Sequence, residues 1–161
     1  MMENLQVIYT LDPLVGTALP SLFLAGPTPR HPHVRSWRPQ ALRTIRSYRE
    51  KLAIYYPEPR GSDSWNPDGV QHIRWEREAL KRADAILFWM PRQLTNMPGF
   101  RSNTEWGFWT ARNPDKLVLG YPKDAPGMRG MSDDAQYYGI PIAHSLSATV
   151  KLSLEKLFSV R

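Results

Sequence analysis

Cysteine is absent from the 161-residue chain, which removes both a disulfide framework and any thiolate metal site. No apolar run approaches the length that crosses a bilayer, and no basic segment followed by a long apolar stretch opens the chain. A cytoplasmic protein with no membrane attachment is the expectation. No Walker loop, no G-x-G-x-x-G and no G-x-S-x-G elbow occurs. His31 and His33 form an H-x-H pair in a proline-rich loop, but no acid or third histidine stands near them, so no metal site is expected there. Repeats and low-complexity tracts are also missing.

Acids are the scarcer charge, 15 against 21 basic residues, for a net charge of +6. The imbalance is local. Arg30, Arg35, Arg38, Arg43, Arg46, Arg49, Lys51 and Arg60 face only Glu50 and Glu58 in their stretch, and the rest of the chain balances. Such a patch fits a small phosphorylated ligand or, as the less favoured reading, nucleic acid. Arg43, Arg46 and Arg49 recur every three residues on a helix predicted over Pro39–Lys51 and read as a solvated face.

The chain has the length of one domain, 1–161, with an ordinary 42% of hydrophobic residues. "SLFLAG", "AIYYPEP", "DAILFWM", "KLVLGYP" and "GIPIAH" have the short apolar runs of buried strands, and "LQVIYTL" could add an edge strand. Helical spacing marks "RPQALRTIRSYREKL", with Ala41, Leu42, Ile45 and Tyr48 on one side. It also marks "VQHIRWEREALKRA", with Val70, Ile73, Ala79 and Leu80 inward, a segment from about Asn103 to Arg112, and "SATVKLSLEKLF". Alternating strands and helices predict an α/β fold with a parallel five-stranded sheet and helices on both faces. Ligands of such sheets bind beyond the carboxyl ends of the strands. That points to three loops, "GPTPRHPHVRSW", "PEPRGSDSWNPDG" and "PRQLTNMPGFRSNTE".

Glu105 stands at the end of the third loop amid Trp89, Phe100, Trp106, Phe108 and Trp109. Either it decorates the first turn of a helix, or it is a carboxylate kept beside apolar rings for chemistry. At a helix start, the positive end of the dipole would favour its ionised form. Glu76 reads either as a helix acid paired with Lys81, Arg82 or Arg77, or as a second functional carboxylate. Asp84, eight residues on, reads as a helix-to-strand junction residue or as part of the same site. With the six tryptophans, Trp89 included, as core and pocket wall, two carboxylates on one sheet edge suggest a flat heteroaromatic ligand.

"FLAGPTPR", "SWRPQAL", "WEREALKRADAILFWMPR" and "NTEWG", in this order, resemble the nucleoside 2-deoxyribosyltransferase-like proteins, over about Val7 to Leu157. The resemblance implies a flavodoxin-like sheet and chemistry at the N-glycosidic bond of a deoxynucleoside. Relatives either transfer the deoxyribosyl group between bases or hydrolyse deoxynucleoside 5′-monophosphates. By position, it implies Glu105 as nucleophile, Glu76 as the acid that protonates the departing base, Asp84 as the aspartate heading the third predicted strand, and Phe23, Gly26 and Pro27 as base and sugar pocket. The helix acid is usually aspartate, whereas this chain has the longer Glu76. Six residues before the nucleophile, where the family tends to place a polar residue for sugar or phosphate, stands Gly99; Asn103, Ser102 or Arg101 could serve instead. The family also implies at least a homodimer, with the aromatics of "EWGFW" as candidate interface residues.

Breaking C1′–N needs one ionised and one protonated carboxyl group, and neither a metal nor a cofactor. Arg30, Arg35 and Arg38, in a loop stiffened by Pro27, Pro29, Pro32 and Pro39, are candidate ligands for a substrate 5′-phosphate. The alternative for them is pairing with Glu58 or Asp63, or facing solvent. The partner expected is thus a nucleoside or nucleotide. A catalytically inactive nucleotide-binding or sensing module of the same fold is the competing reading.

Overall fold

In the computed structural model, which describes residues 4–61 and 69–159, the fully apolar strands are those covered on both sides. β2 (Ser21–Ala25), β3 (Leu52–Tyr56), β4 (Ala85–Trp89) and β5 (Leu117–Gly120) are buried at every position, as parallel strands under helices must be. β1 (Leu5–Tyr9) mixes buried and open positions, and β6 is only Ile142–Ala143. All six pair in parallel, in the order β1-β3-β2-β4-β5-β6. The predicted five-stranded sheet therefore has a sixth member. The N-terminal run is an edge strand, in register with β3 from Leu5 opposite Leu52. Without β1, the order is the doubly wound one of flavodoxin-like sheets, whose switch point falls between β2 and β4.

Strand alternation divides the core in two. Phe23, Ala25, Ile86 and Phe88 face Trp75, Trp106 and Met131 of α2 (Val70–Arg82), α3 (Phe100–Arg112) and α4 (Arg129–Tyr138). Leu22, Leu24, Leu87 and Trp89 face α1 (Arg38–Ser47) and α5 (Leu146–Phe158). α1 is shorter than predicted because Arg49 adopts φ 57° and ends it, which leaves Tyr48 exposed. On α2, Val70 faces out and Trp75 supplies the core contact instead. α3 begins a turn earlier than expected, straight after Gly99 at φ 69°. α4 was not legible at all. Most of the loop after β3, Asp63 included, lies outside the described residues. Among the described residues no helix is long and apolar enough to cross a membrane.

At the switch point β2 and β4 come very close. Gly26, at φ 146°, leaves β2 under the Trp89 carbonyl, where a Cβ would collide with that oxygen and sit 2.9 Å from the Trp37 ring. Only glycine fits a site that is both strained for other residues and already filled.

Candidate active site

Beyond the carboxyl ends of β2 and β4 lies a cleft of about 430 Å³. Phe23, Gly26, Pro27 and Thr28 contribute the β2 side, Ile73 and Glu76 the α2 side, and Gly99 to Ser102 with Glu105 the α3 side. α3 has no side-chain cap, so the N–H groups of its first turn are unspent by the helix. Glu105, in the second turn, turns inward. Its side chain is only 12% exposed, and that of Glu76 16%.

One guanidinium nitrogen spans both acids. Arg101 Nε donates to Glu76 Oε2 at 2.7 Å and stands 3.2 Å from Glu105 Oε1. That second approach lacks hydrogen-bond geometry, and Glu105 Oε1 is buried without a hydrogen-bond partner. Burial, then the charge of Glu76, pushes the Glu105 carboxyl up to about 8, while the positive charges of Arg101 and Arg38 oppose the rise and a hydrogen bond with Glu76 adds to it. The expectation that a helix end would keep Glu105 ionised is thus reversed. Desolvation and a like charge outweigh a dipole whose influence is confined to the first turn. Glu105 thus holds its proton near neutrality.

This has a consequence for stability. Glu105 is raised from 4.5 to about 8 by folding, so its contribution is complete below about pH 4.5 and is lost as pH rises through about 8. Glu105→Gln removes that dependence. At pH 9 the variant is expected to melt several degrees above wild type, and at pH 5 the two should differ little. A wild-type advantage that persists at pH 9 would contradict the buried, proton-retaining carboxyl.

Arg38 holds the β2 side of the cleft. Its side chain is 1% exposed and bonds the Leu24 carbonyl at 3.0 Å, the Gly26 carbonyl at 2.7 Å, Thr28 Oγ1 at 3.1 Å and Glu58 Oε1 at 2.6 Å. Glu58 also accepts from Ser36, whose hydroxyl accepts the Arg38 N–H. Four of the five guanidinium donors are thereby used. This is the Glu58 pairing anticipated as the alternative to phosphate binding.

The other expected site residues divide clearly. Arg30 lies at the cleft mouth, over the Phe100 ring at 5.4 Å. Arg35 and Trp89 line a different cleft, on the α1–α5 face of the sheet; odd and even strand positions point opposite ways, and Trp89 has the parity that turns from Glu105. Asn103 is absent from the cleft wall, and its Oδ1 accepts from Arg92. Asp84 requires correction as a catalytic candidate. It precedes β4 at the opposite sheet edge, lines a surface hollow with Lys116 and Lys156, and accepts from the Ser21 N–H and hydroxyl at 2.8 Å each. It is a strand-junction residue. Arg101 went under-read, although its place four residues before Glu105 on a helix was the signal. Among the described residues no cluster of three or more potential ligands is set to hold a metal ion.

Comparison with curated proteins finds no match. A family model, described as nucleoside 2-deoxyribosyltransferase like, matches residues 19–125. That span runs from just before β2 to just past β5 and takes in both carboxyls and Arg38. The chain, which matches over well more than half its length and has the flavodoxin-like sheet and switch-point cleft described above, belongs to the nucleoside 2-deoxyribosyltransferase-like family.

Proposed function

We propose that the protein cleaves or transfers at the N-glycosidic bond of a 2-deoxynucleoside or its 5′-monophosphate, through a covalent glycosyl-Glu105 intermediate. The observation that carries this reading is the pair of little-exposed carboxyls, Glu76 and Glu105, that flank Arg101 Nε in a cleft of ligand size. The forward step requires the proton that Glu105 holds to pass to Glu76, which leaves Glu105 ionised. Glu105 attacks C1′ as the C1′–N bond breaks, and Glu76 gives its proton to the leaving base nitrogen. A second base, or water deprotonated by Glu76, then displaces Glu105 from C1′. Phe23, Ile73 and the Gly26–Thr28 loop would bound the base and sugar, and restrict water around the intermediate. Glu76, one methylene longer than the usual aspartate, lines the cleft together with Glu105.

The cleft walls carry Arg30, Arg38 and Arg101 against two carboxyls, of which Glu105 is held protonated, a balance that favours an anionic substrate. Arg30 is the arginine of the loop whose guanidinium is left for a 5′-phosphate. Incubation with a panel of deoxynucleosides and their 5′-monophosphates, with and without an acceptor base, tests the reading. Release of free base, or appearance of a new nucleoside, is expected. Specific binding without either outcome would point to the inactive sensing module.

A homodimer belongs to the same proposal. Trp106 and Trp109 are buried in the core, but Phe100 (67% exposed) and Phe108 (53%) lie two turns apart along α3, and aromatic residues are enriched in interface cores. Phe108→Glu is expected to convert a dimer into a monomer in light scattering; a wild type that is monomeric and active would refute the assignment.

A further inference from the structure

Arg101 occupies space that the proposed reaction needs. Glu76 and Glu105 flank one nitrogen, Arg101 Nε, which lies 2.7 Å from the first and 3.2 Å from the second. Double displacement needs its two carboxyls about 5 Å apart, with the scissile bond between them. With Nε 2.7 Å from one acid and 3.2 Å from the other, the Arg101 guanidinium stands on the path that a sugar must take between them. Arg101 must therefore release at least one acid whenever the cleft fills. It is able to do so, because its side chain is 40% exposed and both of its ion pairs are with these same two acids. Around it the cleft mouth offers Arg30 and the uncapped first turn of α3, which would draw an anionic group to the place where Arg101 stands.

We propose that Arg101 is a substrate-displaced latch: it stands between Glu76 and Glu105 until a substrate arrives and then turns to the 5′-phosphate of that substrate, which frees both carboxyls for C1′ and the base. This deepens the function proposed above and rests on that reading for the identity of the substrate. Arg101 is a positioning residue for the carboxyl pair and a specificity residue for the phosphate. Three charged groups act on Glu105: Glu76 from α2, Arg101 from its own helix and Arg38 from α1, the last already neutralised by Glu58. When Arg101 swings away, Glu105 loses a positive charge that opposes its raised pKa, so its hold on its proton tightens. Phosphate binding would thus be accompanied by uptake of a proton at Glu105, which passes to Glu76 before C1′ is attacked.

The test uses probes that have no glycosidic bond to break and no base to discriminate: 2-deoxyribose 5-phosphate and 2-deoxyribose. Their binding to the whole protein is followed by calorimetry at pH 8, in buffers of different ionisation enthalpy, for wild type and Arg101→Gln. Wild type is expected to bind the sugar phosphate at least about thirtyfold more tightly than the sugar, with net proton uptake. Arg101→Gln should lose most of that preference and most of the uptake, and should bind the neutral sugar as well as wild type or better. Thermal melting of the variant checks that the fold is retained, and Arg101→Lys, which keeps the charge without the planar fork, should recover only part of the preference. An unchanged preference and unchanged uptake in Arg101→Gln overturn the latch, as does a wild type that shows no preference for the phosphate. Base release is read in the separate panel assay, so a failure there with this binding pattern intact sinks the N-glycosidic chemistry and not the latch.

Discussion

Glu105→Gln is expected to lower the rate of base release by at least about 10³-fold, because removal of a covalent nucleophile takes away the step on which the chemistry depends. The amide has almost the same shape as the carboxyl and is uncharged, like the protonated form that Glu105 favours in the empty cleft. Folding and ligand binding should survive, so the loss would fall on kcat. Glu76→Gln is expected to cost less, about 10²-fold or more, since proton donation is worth less than the covalent step. Its defect should shrink with a leaving base that needs no protonation, whereas that of Glu105→Gln should not. A Glu105→Gln variant that keeps a third of wild-type activity would remove Glu105 from the mechanism.

Arg38→Ala is expected to be the most damaging single change for stability. It leaves the Glu58 carboxylate, little exposed, without its 2.6 Å partner, and it strips the Leu24 and Gly26 carbonyls of the donors that hold the end of β2. Loss of one member of a buried ion pair costs about 3–5 kcal/mol, which for a chain of this size is a fall in melting temperature of roughly 10 °C. Arg38→Lys should not restore it, because a point charge cannot bond Leu24, Gly26, Thr28 and Glu58 at once. A change of only a degree or two would mean that Glu58 finds other partners and that the network is incidental.

The parts of the fold that the residues announced are those where burial is uniform. SLFLA, LAIYY and AILFW could be read as central parallel strands because nothing polar interrupts them, and from them the sheet edge that carries the cleft followed. α4 was hidden because RGMSDDAQYY has Gly130 and three small polar residues in its first turns and buries little beyond Met131 and Ala135. The early start of α3 depends on the left-handed backbone of Gly99, which the residue permits but does not demand. At the site, Glu105, Glu76, Phe23, Gly26 and Pro27 line one cleft, as the family resemblance implied. Arg35, Arg38, Trp89, Asn103 and Asp84 stand elsewhere in role or place, for one common reason: which side chain points to which face depends on strand parity and on hydrogen-bond partners distant in the chain, such as Glu58 for Arg38 and Ser21 for Asp84.

The central claim is that a sugar becomes bonded to Glu105. The direct measurement is acid quench of the protein during turnover of whichever deoxynucleoside or 5′-monophosphate releases base, followed by mass spectrometry of the intact chain and its peptides. One deoxyribosyl or deoxyribosyl-phosphate increment is expected, mapped to Glu105 in the Phe100–Arg112 helix, stoichiometric with an initial burst of free base and absent from Glu105→Gln. Base released without a burst, with no adduct in wild type and with activity retained in Glu105→Gln, would contradict it.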